Sequence, residues 1–132
     1  MKFGYAIVYV SSVAEALDFY HRAFGLETRF LHESGEYGEL NTGETTLAFA
    51  SHAMGEMNLA EPYQKADPSA PPFGVELAFV TADVHEAYAK AIKAGAAHIK
   101  EPTLKPWGQL VAYVRSIEGS LIELCTPIQD GT

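Results

Sequence analysis

Residues 74–127, GVELAFVTADVHEAYAKAIKAGAAHIKEPTLKPWGQLVAYVRSIEGSLIELCTP, decide the fold. The opening GVELAFVTA has the branched and aromatic composition of a strand. Asp83 followed three residues later by Glu86 is a capping box that starts a helix, and Gly95 ends it after about Ala94. Ala97–Lys100 then reads as a short strand and EPTLKPWG as a proline-containing loop. Gln109–Arg115 and Leu121–Cys125 read as two more strands, joined by the turn SIEGS. The order is β-α-β-β-β.

The first fifty residues repeat that order. Ser12 and Glu15 form a second capping box, 71 positions before Asp83 and Glu86. Val13, Ala16, Leu17 and Tyr20 follow at helical spacing, and Val84, Ala87, Tyr88 and Ala91 stand 71 positions further on. Six matched positions at one offset argue for duplication of a module of roughly 50 to 55 residues. Two copies predict a paired, pseudo-symmetric domain, because a solenoid normally needs about three or more. Tyr5–Val10 (YAIVYV) reads as the first buried strand, and Gly25 as the cap closing the first helix. Leu26–His32, Tyr37–Asn41 and Thr45–Ala50 read as three strands, with Gly35, Gly38 and Gly43 as turn glycines. The expected fold is α+β. One domain spans 1–132, with module one at 1–52, a connecting segment at 53–73 and module two at 74–127. The stretch Ser51–Pro72 shows no period and carries four prolines, so it reads as a plain linker or as a lid over a cleft.

A chain of 132 residues can bury about two-thirds of its unfolded surface. With 48% hydrophobic and 20% charged residues it is globular in composition. No apolar run has the length of a membrane span and the start lacks a signal-peptide h-region, so no membrane partner and a cytoplasmic location are expected. Cys125 is the single cysteine, which excludes an intrachain disulfide and a thiolate zinc site. A net charge of −8 without a basic cluster excludes binding to nucleic-acid phosphates. The charge serves solubility or an acidic cleft that attracts cations. No Ser-His-Asp spacing and no Gly-rich phosphate loop is present.

The opening YAIVYVSSVAEALDFYHRAFGLE, the later VELAFVTADVHEAYAKAIKAGA, the segment KPWGQLVAYVRSIEGSLIELCTP and the duplication itself carry a family resemblance. Over nearly its whole length the chain resembles the vicinal oxygen chelate superfamily, which includes glyoxalase I, extradiol dioxygenases and bleomycin-resistance proteins. The resemblance implies strands curled into a ligand cup with helices outside. It also implies a homodimer in which module one of one chain and module two of its partner complete the cleft. Metal-dependent members place a ligand on the first and last strand of each module, usually His or Gln and then Glu. Carried onto this chain, those positions are Tyr5, Ala48, Glu76 and Glu123, of which only Glu123 is the family's usual ligand. Ala48 has no donor atom and neutral Tyr5 is a poor one, whereas zinc, nickel or iron wants at least three good donors. No cofactor is therefore expected. A divalent metal, if one binds, would be held by Glu76 and Glu123.

Other residues keep two readings. His52 is a loop histidine or a further ligand; His21, His32, His85 and His98 read as surface residues. Tyr5 is a packed aromatic or lines the cleft. Cys125 shares a strand face with Glu123 and is a ligand contact, a buried hydrophobe or a nucleophile. Trp107 caps the core or, as the resemblance implies for the Trp-Gly of bleomycin-resistance-like members, touches the ligand. Taken together, the expected function is a metal-free small-molecule binding protein that sequesters an aromatic or cationic ligand through Tyr5, Glu76, Trp107, Glu123 and Cys125. The alternatives are a metal-dependent glyoxalase I-like lyase or isomerase using Glu76 and Glu123, and a non-catalytic interaction module.

Overall fold

The computed structural model describes residues 1–128. Within them the chain runs β1 (Tyr5–Val10), α1 (Val13–Phe24), β2 (Thr28–Leu31), β3 (Tyr37–Leu40), β4 (Thr46–Ser51) and α2 (His52–Leu59). It continues with β5 (Glu76–Val80), α3 (Val84–Ala94), β6 (Ala97–Leu104), β7 (Leu110–Arg115) and β8 (Leu121–Cys125). Two four-stranded mixed sheets result, ordered β1-β4-β3-β2 and β5-β8-β7-β6. Each has one parallel pair, β1 with β4 and β5 with β8, and is otherwise antiparallel. The chain divides into two compact units, Met1–Ala66 and a second beginning at Asp67.

The first unit is built around α1. Ser12 accepts a hydrogen bond from the Glu15 amide, and Gly25 closes the helix in the left-handed region at φ 72°. The apolar stripe Val13, Ala16, Leu17 and Tyr20 is fully buried, and Tyr20 meets Phe49 of β4 at 4.8 Å between ring centres. Gly38 is a strand residue of β3, not the turn glycine that its sequence context suggests. A Cβ there would lie 2.7 Å from Leu17 and 3.2 Å from Val13, so the helix packs directly on bare backbone.

The second unit repeats the plan around α3, capped by Asp83 and Gly95 and packed on β6, β7 and β8. Ala112 and Val114 of β7 and Ile122 and Leu124 of β8 are buried on the α3 side, leaving the alternate residues on the far face. β6 runs to Leu104, past the end expected at Lys100. Two register shifts, between His98 and Lys100 and between Lys100 and Thr103, absorb Pro102 at a bulge on an edge strand, where no ladder donor is required of it.

The segment between the modules is not an unstructured linker. It begins with α2, whose N-cap Ser51 accepts from the Met54 amide. Tyr63 folds back to stack on Tyr9 at 5.0 Å, and its hydroxyl lies 2.7 Å from His52 Nδ1. The following residues, Asp67–Ala70, belong to the second unit. There Arg115 donates from Nη2 to the Asp67 carbonyl (3.1 Å), from Nη1 to Ala70 (2.9 Å) and from Nε to Gly119 (3.0 Å). Gly119, at φ 100°, leaves no room for a side chain: a Cβ would stand 3.1 Å from the Pro68 nitrogen.

Candidate functional site

On the far face of the second sheet the register sets out three rungs. Glu76 on β5 lies opposite Leu121 on β8, which pairs with Arg115 on β7. Ala78, Glu123 and Tyr113 form the next rung, and Val80, Cys125 and Val111 the third. Glu76 and Glu123 therefore sit on neighbouring strands, one rung apart, on one face. Burial, with Glu123 beside it as hydrogen-bond partner and like charge, pushes the Glu76 carboxyl above the ordinary glutamate value. With a second carboxylate beside it, Glu76 is favoured in its neutral form over a second full negative charge on the same face.

Tyr113 completes the group. Its hydroxyl donates to Glu123 Oε1 at 2.9 Å. Burial, that hydrogen bond and the charge of Glu123 push its own ionisation up to about 12, so it stays a neutral donor. Cys125 lies one rung on, 3% exposed, with Sγ 3.8 Å from the Phe79 carbonyl. Burial, then its hydrogen bond with Glu123 and the charges of Glu123 and Glu76, push the thiol up to about 11. It is a protonated group at neutral pH, unlike an activated cysteine nucleophile.

Trp107 stands elsewhere. It occupies the turn between β6 and β7, the residue 62% exposed and its Nε1–H donating to Gln109 Oε1 at 2.8 Å. Gln109 in turn donates to the Thr126 carbonyl. Leu110, where β7 begins, is three residues from Tyr113, so the indole's turn lies roughly 10 Å or more along the sheet from the carboxyl pair. A ligand that touches both must be elongated.

The first unit has a different far face. Tyr5 lies opposite Thr46, and Ile7, Ala48 and Glu39 form the rung beyond. Tyr5 is 59% exposed, while Ala48 is fully buried. His52 starts α2 and is engaged by Tyr63; burial, ahead of the positive charge of Lys65, lowers its basicity. His21, His32, His85 and His98 are exposed. Sequence reasoning missed Tyr113, Tyr37 and Glu39, all on central strands. The available signal was the alternation Tyr37-x-Glu39 in YGEL and the tyrosine within LVAYVR.

Within the second unit Glu76 and Glu123 are two carboxylate donors, one fewer than the three that a transition-metal centre usually takes. Ala48 offers nothing, and one of the two carboxylates on the second sheet already accepts from Tyr113. Among the described residues no group of three His, Cys, Asp or Glu side chains is placed to hold a metal ion.

A family model described as the Glyoxalase/Bleomycin resistance protein/Dioxygenase superfamily matches residues 2–124. The chain belongs to this superfamily. Solved structures agree on the fold of this superfamily member. A glyoxalase-related enzyme from Fulvimarina pelagi superposes with TM-score 0.83 at 16% identity, over 96% of this chain and 88% of that one. A protein of unknown function from Agrobacterium tumefaciens str. C58 gives 0.77 at 23% identity, over 96% and 94%. A glyoxalase/bleomycin resistance protein/dioxygenase family enzyme from Burkholderia phytofirmans PsJN gives 0.75 at 21%, over 98% and 100%. No curated protein matches the sequence. Among the described residues no helix is long and apolar enough to cross a membrane.

Proposed function

We propose that this superfamily member is a cytoplasmic small-molecule binding protein that holds a cationic, hydrogen-bond-donating aromatic ligand without a catalytic metal. One observation carries the reading: Glu76 and Glu123 are brought together on one sheet face, with Tyr113 donating to one of them. Two carboxyls side by side are relieved by a cation placed between them, and charge-assisted hydrogen bonds to a carboxylate are about twice as strong as neutral ones. Trp107 offers an exposed aromatic face for an elongated ring system or its positive charge. A glyoxalase I-like lyase would need metal donors that Ala48 does not supply.

Trp107 is the only tryptophan, so its fluorescence reports binding. Titration with proflavine, a tricyclic aromatic cation, is expected to quench it saturably, with the neutral tricycle acridone bound about tenfold more weakly or worse. Glu76→Gln and Glu123→Gln should each weaken proflavine binding by a similar factor. Equal binding of the two probes, or stoichiometric zinc, nickel or iron that survives dialysis and is lost in Glu123→Ala, would overturn the reading.

A further inference from the structure

The first unit carries a carboxylate that lies at none of the four positions implied by the resemblance. Glu39 on β3 faces Ala48 on β4, in the register at which Tyr113 on β7 faces Glu123 on β8. In the second sheet the acid stands on the last strand and the partner strand supplies a phenol. In the first sheet the last strand is bare and the partner strand supplies the acid. Because Gly38 and Leu40 turn toward α1, Tyr37 and Glu39 point to the opposite face. Ala48 ends at Cβ, which leaves the space across the rung to the longer glutamate.

The Glu39 side chain is only 10% exposed. Its Oε2 accepts from the Tyr37 hydroxyl at 2.7 Å, and its Oε1 faces Arg29 Nε at 3.9 Å, beyond hydrogen-bond range. Glu39 Oε1 is not among the fully buried polar atoms that lack a partner, so it reaches solvent and keeps an acceptor site open to an incoming donor. Tyr5, Ile7 and Phe30, all exposed, supply apolar surface on the same strands.

We propose that Glu39 is a second ligand-anchoring carboxylate, doing in the first unit what the bare Ala48 position cannot, and that it receives an N–H donor group of the amidinium or guanidinium type. This rests on the reading of the sheet faces as ligand surfaces. Tyr37 is the positioning residue. Burial and Glu39 together raise its ionisation well above the ordinary tyrosine range, so it remains a donor and fixes Oε2. Arg29, half exposed, offsets the charge without saturating the acceptor.

The test uses the full chain labelled with ¹³C at the glutamate carboxyls, assigned with Glu39→Gln, Glu76→Gln and Glu123→Gln. It is titrated with methylguanidinium chloride against a sodium chloride control. The Glu39 signal should shift saturably and specifically, and Arg29→Gln should tighten that response several-fold. A Glu39 signal that stays still while Glu76 or Glu123 moves overturns this proposal and leaves the proposed function standing. Movement at Glu39 alone supports the proposal and removes the Glu76–Glu123 pair as the anchor. No movement at any of the three overturns both. Amide spectra of Glu39→Gln that match the wild type separate loss of a ligand contact from loss of structure.

Discussion

At the scale of single residues the carboxyl pair makes the sharpest claim. Glu76 titrates above its unfolded value of 4.5, so the folded chain holds more protons than the unfolded one in the window running upward from there. Its stabilising contribution is present below that value and is lost as pH rises through the raised one. Glu76→Gln removes the loss. Calorimetry should show the variant melting about 2 °C above wild type at pH 7, a small shift because Glu76 is partly exposed and screened. The difference should vanish near about pH 3.5, and an equal gain at both pH values would mean that the charge on Glu76 is not what costs stability. Tyr113→Phe asks about the other side of the site. It strips Glu123 of its donor and should cost about 1 kcal/mol in urea unfolding at pH 7; an unchanged midpoint would mean that water replaces the phenol at no cost.

At the scale of elements, α2 shows where local sequence stops being informative. HAMGEMNL has no apolar stripe, and a glycine in its middle argues against a helix by propensity alone. The residue is there because the tertiary structure wants it: a Cβ on Gly55 would lie 2.9 Å from both the Tyr63 hydroxyl oxygen and Tyr9 Cδ1. Two effects compete in Gly55→Ala. Helix propensity favours alanine by about 1 kcal/mol, and overpacking against two rings costs about 1–3 kcal/mol. We expect the second to win, with a net loss in urea unfolding and a weakened Tyr63–His52 contact; a stabilised variant would show that the rings swing aside freely. The elements with strong local signals, α1, α3 and the strands around them, were legible from capping boxes and periodicity. The extension of β6 was not, because Pro102 reads as a breaker until the bulge and the strand's edge position are known. The site divides in the same way. Glu76 and Glu123 were named only through the resemblance, as the first-strand and last-strand positions of module two, whereas Glu39, Tyr37 and Tyr113 lie at none of its positions and their partners follow from cross-strand register.

At the scale of the whole molecule, the two sheets share one strand order while their faces differ, one carrying Glu76, Glu123 and Tyr113, the other Tyr5, Tyr37 and Glu39. Phe3 and Tyr5 in the first unit and Val75, Val80 and Leu104 in the second are each more than half exposed, which leaves apolar surface on both units. We propose that a second copy covers part of it, and sedimentation velocity at micromolar concentration should show a homodimer; a monomer there would sink this. Arg115 has a different kind of consequence. Its guanidinium grips carbonyl oxygens at Asp67, Ala70 and Gly119, groups that every amino acid carries, so it reads the path of the chain and is blind to the letters written along it. A library randomised at Pro68 and Ala70 should therefore recover a broad spread of functional sequences, while one randomised at Arg115 and Gly119 should return almost none but the original pair. Even lysine at 115 should fail, having charge but no planar fork. The most tolerant and the least tolerant positions of this protein are thus expected within a few ångströms of one another, joined by the same hydrogen bonds.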